Sequence, residues 1–153
     1  MSQSPNQANP SYNPSPPVPP PLSPSDERTW AMLSHLSVLL NLVTGVLGTV
    51  AALVIYLVFK DRSKYVAYQS IQAFIMQLIV WVGGGVIVGA TWALTGILSA
   101  VLVGVACIPF AICLSFLPVI AVAYGIIGGI ECSQGRDFRY WLIGDWVRGT
   151  LNQ

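Results

Sequence analysis

Gln69, Gln72 and Gln77 are the residues with most chemistry in a long apolar stretch of this chain. Positions 69, 72/73 and 76/77 fall along one face of a helix. Each side-chain amide carries two N–H donors and a carbonyl acceptor, none of which hydrocarbon can satisfy. That face must therefore meet another helix or a water-filled space. Two readings follow: glue between helices, or the lining of a hydrated vestibule or pore. Tyr65, Tyr68 and Ser70 make the start of the same helix polar. Ser37 and Asn41, in the preceding apolar run, are the partners expected if those faces meet.

The other reactive types are sparse. His35 is the only histidine. A lone imidazole forms neither a triad nor a metal cluster by itself. It reads as a packed or interfacial residue bonded to serine or backbone, with a cavity-lining role as the alternative. Glu131 stands just past the last apolar run, where it pairs with Arg136 or Arg139 or is solvated; one carboxylate at a membrane edge does not define a proton relay. Cys107, Cys113 and Cys132 form no C-x-x-C pair and read as small apolar packers. No paired carboxylates or Ser/His/Asp set falls within the apolar runs, so no enzyme, metal site or cofactor is expected.

The elements that must position these residues follow from charge. Hydrophobic residues make up 54% of the 153 and charged residues 8%, against about 25% charge in soluble domains. No Lys, Arg, Asp or Glu occurs between Lys64 and Glu131. A soluble helix needs a wet face, whereas a charge at the bilayer centre costs about 2.5–3.5 kcal/mol on insertion scales. The expected fold is an all-α integral membrane protein, a small bundle of three transmembrane helices with four as the alternative. A net charge of +1 gives no basic surface for nucleic acid.

Residues 1–25, rich in Pro, Ser and Asn with no charge before Asp26, read as a disordered tail and lack the pattern of a secretory signal. Its prolines could also dock an aromatic groove. The helical transmembrane domain covers 26–148, with helices expected at about 30–59, 66–90 and 96–130, and residues 131–153 form an interfacial C-terminal segment. Ser25 is a reasonable cap for the first helix. Gly45 and Gly48 could mark a bend within 30–59; a hairpin of two half-helices is the weaker alternative, because each half is too short for a full span. Pro109 and Pro118 interrupt the third helix or divide it. The basic loop 60–64 and the tail arginines Arg136, Arg139 and Arg148 should face the cytoplasm of a plasma (inner) membrane; three spans then put the N-terminus outside. Gly85/Gly89, Gly96/Ala100 and Gly125/Gly129 have the spacing that lets helices approach closely.

Three segments carry a family resemblance. The stretch from Gly135 to Asp145, with Gly135, Arg139, Tyr140 and Gly144 as its markers, resembles the closing motif of the DUF4870 family of small bacterial membrane proteins, grouped with Tic20-like proteins. Trp141 stands where that family often has proline. Ala31–Ser37 resembles its opening segment, and Lys60–Val66 followed by Gln69–Ala73 its first loop, although Tyr68, Gln69 and Gln72 replace ionisable residues common there. The resemblance spans about 28–148. It implies no assigned activity; the Tic20-like grouping implies a translocation or channel role as an analogy. The function expected is a non-enzymatic scaffold or accessory subunit of a membrane complex, in contact with lipid and with a protein partner or a second copy. The alternative is an oligomeric channel or translocation component.

Overall fold

The computed structural model describes residues 19–151. The expected disorder and groove-docking of the N-terminal tail fall mostly on residues 1–18, outside the described residues. The fold is all-helical, a small membrane bundle.

The chain enters helix α1 (Pro24–Leu36), which continues with a slight break at Ser37 into α2 (Val38–Thr44). Ser23, not Ser25, caps α1: its hydroxyl accepts from the Asp26 N–H at 3.2 Å. Pro24 explains the shift, because its fixed φ and missing N–H suit the first helical position. Asp26 and Glu27 then sit in the first turn, where the helix dipole favours negative charge.

The apolar run 30–59, expected as one long helix with a bend and, as the weaker alternative, as a hairpin of two half-helices, is folded back on itself. After α2 the chain reverses at Gly45, which has φ +79°, and returns as α3 (Leu47–Phe59). The reversal is a hairpin whose tip is apolar and exposed: Val43 is 89% accessible. Trp30 near the entry and Phe59 near the exit stack with ring centroids 4.6 Å apart. The Ser63 hydroxyl donates to Glu27 at 2.5 Å, and Arg62 donates to the Pro20 carbonyl at 3.1 Å. The start of α1 therefore lies on the same side as the loop 60–64, whereas three uninterrupted spans would have separated them.

Ser63 caps the next helix, accepting from the Val66 N–H. Helix α4 (Lys64–Gln77), a π-helical turn (Leu78–Gly83) and α5 (Gly84–Ser99) run on as one 36-residue rod. A tight turn at Ala100–Leu102 leads into α6 (Val103–Leu114) and α7 (Leu117–Ser133), a second apolar run of 31 residues. The break between these runs falls at residues 100–102 rather than at Thr91–Thr95. At 1.5 Å per residue both exceed the roughly 30 Å of hydrocarbon, so both are long and apolar enough to cross a membrane. Pro109 is accommodated inside α6, and Pro118 sits in the first turn of α7, where its missing donor is not needed. The last helix, α8 (Gly144–Leu151), follows an extended tail.

Packing is uneven along the membrane normal. The α1–α3 hairpin packs on α4 and α7, while α5 packs mainly on α6. All seven Lys/Arg and all six Asp/Glu of the sequence lie in α1's first turns, the 60–64 loop, the end of α7 or the segment beyond it. The protein therefore has one charged end. The turn at its other end, Ala100–Leu102, carries no charge.

Candidate functional site

The expected polar face of α4 closes into a buried seam. His35, Asn41, Gln69, Gln72 and Gln77 are all 3% exposed or less. Their positions follow from helix geometry. Gln69 and Gln72 are one turn apart on α4, and Gln77 lies further down the same face. The first pair faces α1 and the C-terminal tail, and Gln77 faces the hairpin.

The upper half of the seam joins three parts of the chain. His35 Nε2 donates to Gln69 Oε1 at 3.0 Å, and the Tyr140 hydroxyl donates to His35 Nδ1 at 3.2 Å. Gln69 Nε2 donates to the Phe138 carbonyl and to Asp137, each at 3.2 Å. Gln72 Nε2 donates to the same carbonyl at 2.8 Å and to Gln69 Oε1 at 2.7 Å. The tail is thus a plug, which supplies backbone and hydroxyl partners that the helices alone do not. Burial pushes the Tyr140 hydroxyl above its ordinary pKa, so it remains a neutral donor. Around the imidazole, Phe138 stands edge-on at 5.2 Å and Tyr140 at 5.5 Å between ring centroids.

The lower half holds the hairpin shut. Asn41 Nδ2 donates to Gln77 Oε1 at 3.0 Å and to Thr49 Oγ1 at 3.2 Å. Gln77 Nε2 donates to Ser37 Oγ at 3.0 Å. Asn41 Oδ1 accepts from the backbone N–H groups of Gly48 and Thr49 at 2.7 and 3.2 Å. The Thr44 hydroxyl accepts from Leu47 N–H at 3.2 Å. The first N–H groups of a helix have no partner within it, and in hydrocarbon each would be costly. Here side chains of the turn take three of them, which lets α3 begin inside the membrane.

The glycines divide into two sets. A Cβ on Gly125 would stand 2.8 Å from Val38, and one on Gly129 would stand 2.9 Å from Leu36, so α7 meets the end of α1 and the start of α2 through them. Gly85, Gly89 and Gly96 face open space, and Ala100 lies exposed in the distal turn. In the tail Gly135 has φ +74°, a conformation that favours glycine. Gly144 accepts from the Tyr68 hydroxyl through its carbonyl at 3.3 Å. Arg139 pairs with Asp145 at 2.6 Å, and Arg148 pairs with Asp137, which raises the pKa of Arg148. Neither pair involves Glu131.

Gly48, read from the sequence as a bend marker, is a close-contact position: a Cβ there would fall 2.0 Å from the Ser37 carbonyl oxygen. Other contributors were not legible from residue type. Gly104 is one, pressed against Thr95 and Ser99 where α5 meets α6. Gly128 lies under Phe138 and His35. The signal available was the density of glycine in apolar sequence, which does not say which glycine meets a helix. At the charged end, Tyr56, Lys60, Lys64, Tyr68, Asp137 and Arg148 line an open cleft of about 650 Å³. Among the described residues, no three His, Cys, Asp or Glu side chains are grouped to hold a metal ion.

Fold and seam together define a small integral membrane protein whose seam amides and imidazole are paired with one another or with the tail, while the Trp81 indole N–H is buried without a partner among the described residues. The model of the magnetosome magnetite crystal formation protein family (MamF_MmsF) matches residues 26–147, and the chain belongs to that family. It is thus a small integral membrane protein of this family. The match overturns the resemblance to the DUF4870 family and the Tic20-like grouping. The segments behind that resemblance, Ala31–Ser37, Lys60–Ala73 and the tail from Gly135, all lie largely within the matched region and build the seam and its plug. No curated protein and no solved structure matches the chain.

Proposed function

We propose that this protein is a structural subunit of the membrane in which magnetite crystals form, acting as a scaffold or accessory subunit. One observation carries the reading: the family match, 26–147, coincides with the bundle that the seam and the docked tail close into one unit. The seam supports a structural role, because Gln69, Gln72 and Gln77 direct their amides to protein partners and so work as glue. The charged end holds every basic residue and would face the cytoplasm by the positive-inside rule. The opposite turn, Ala100–Leu102, has no carboxylate to offer a mineral surface, so an effect on crystals would run through the membrane or a protein partner, the latter either another subunit or a second copy.

The experiment is deletion of the chain in a magnetite-forming host, followed by electron microscopy of crystal size and number. Altered crystals, restored by the wild-type chain, are expected. Unchanged crystals would overturn the role. A cysteine introduced at position 101 or at position 61, tested with a membrane-impermeant thiol reagent on intact cells, reads the orientation independently.

A further inference from the structure

We propose that this protein is a membrane wedge that favours bilayers curved convexly toward its charged end. The inference goes beyond a role in crystal formation, and its failure would leave that role standing.

The wedge follows from unequal helix numbers in the two leaflets. On the charged side, α1–α2, α3, α4 and α7 stand side by side, because the hairpin packs on α4 and α7. Helix α3 has 13 residues, about 20 Å at 1.5 Å per residue, against about 54 Å for the 36-residue α4–α5 rod, so the hairpin stops well short of the distal end. Beyond the tip only α5 and α6 continue, joined at Gly104. In these two helices only Thr95, Gly104 and Ala111 are buried. Four helix cross-sections thus narrow to two.

Side-chain size sharpens the taper. Helix α5 opens with Gly84 and Gly85 and includes Gly89, Ala90, Ala93 and Gly96. A Cβ at Gly85, Gly89 or Gly96 would meet nothing within 4 Å, so these glycines serve no packing among the described residues and leave the distal arm slim. The charged end is broadened instead. Trp141 and Trp146 are 78% and 64% exposed beside α8, at the level where aromatic rings favour the headgroup boundary. A molecule of this shape occupies more area in one leaflet than in the other. It is accommodated with least lipid deformation where the charged-side leaflet is the outer, more expanded one. Shallow insertion at the interface is itself sensitive to curvature, and the test must separate the two.

The full chain, fluorescently labelled, is reconstituted into vesicles of mixed diameter, from about 50 to about 400 nm. Protease access to the C-terminal segment identifies molecules with the charged end outward. Those molecules should be enriched severalfold per unit lipid on the smallest vesicles. Density independent of diameter, or enrichment of the inward-facing molecules, overturns the wedge. A variant with Gly85→Leu, Gly89→Leu and Gly96→Leu thickens the distal arm without touching the seam. It should keep its helicity and thermal midpoint and lose the enrichment. If it keeps the enrichment while Trp141→Ser with Trp146→Ser abolishes it, interfacial insertion is responsible and the wedge is wrong. Cysteine crosslinking between copies in the same vesicles should not run through positions 85, 89 or 96. A stable oligomer sealed through the α5 glycines would fill the distal leaflet and equally overturn the proposal.

Discussion

Asn41 Oδ1 lies 2.7 Å from the backbone nitrogen of Gly48, across the turn that returns the chain toward the charged end. The same side chain binds Thr49 and Gln77. One amide therefore caps a helix that begins inside the bilayer and fastens it to the first full span. Leucine at position 41 has similar size but no polar atoms. Asn41→Leu leaves Gly48 N–H, Thr49 N–H and Gln77 Oε1 without this partner. Each unsatisfied buried group costs about 1–3 kcal/mol, partly recovered by relaxation. We expect a loss of about 2–4 kcal/mol, measured by reversible unfolding in mixed micelles. A loss below about 0.5 kcal/mol would show that the turn does not depend on its cap.

Gly48 and Gly85 make a matched pair for a second test. Both are helical glycines in apolar surroundings, yet a Cβ on Gly48 would overlap the Ser37 carbonyl while one on Gly85 would touch nothing. Alanine favours a helix over glycine by about 1 kcal/mol. Gly85→Ala should therefore leave stability unchanged or raise it slightly. Gly48→Ala should lower it by more than about 2 kcal/mol, because the neighbour that must move is backbone. Thermal unfolding of the two variants in one detergent checks the contrast. Equal midpoints would contradict the close approach of α2 and α3.

Leu102 has φ +66° and is 80% exposed at the distal turn. The left-handed region costs a side-chain-bearing residue about 1–2 kcal/mol, and little packing offsets it here. Leu102→Gly should stabilise the turn, net of the added chain entropy, by about 0.5–1 kcal/mol. The same unfolding assay reads this. A destabilised variant would mean that Leu102 gains more from contact with lipid than it loses in strain.

How much of this was legible in the sequence depends on what each signal encodes. Composition and the charge-free run between Lys64 and Glu131 report the solvent, and the all-helical membrane bundle follows from them. The amide spacing of Gln69, Gln72 and Gln77 reports a face, because helical periodicity is local. The hairpin is not encoded that way. Both its arms touch lipid, so residues 38–59 stay apolar whether the chain runs straight or folds back, and periodicity cannot distinguish them. The distinguishing marks were Asn41, Thr44, Gly45, Gly48 and Thr49 crowded together, polar caps and small residues where a straight span needs neither. The plug was hidden for another reason. Phe138 contributes a backbone carbonyl, which every residue has, so no residue type could announce that Gln69 and Gln72 are satisfied by the tail.

His35 and Tyr140 offer the most direct test that the tail is part of the fold. They are 105 residues apart in sequence and 3.2 Å apart in space. His35→Leu removes the acceptor and leaves the Tyr140 hydroxyl buried without this partner; Tyr140→Phe removes the donor and leaves Nδ1 unpaired. Both singles should be destabilised. In the double variant neither orphan of this bond remains, so its loss should be smaller than the sum of the singles. Hydrogen bonds between membrane helices couple by about 0.6 kcal/mol on average and up to about 1.7. The Nε2 bond to Gln69 is lost equally in the single and the double, so it cancels in the cycle. A coupling near zero would mean that the tail rests on the bundle without bonding into it. A clear coupling would place Tyr140, and the motif around it, inside the cooperative unit.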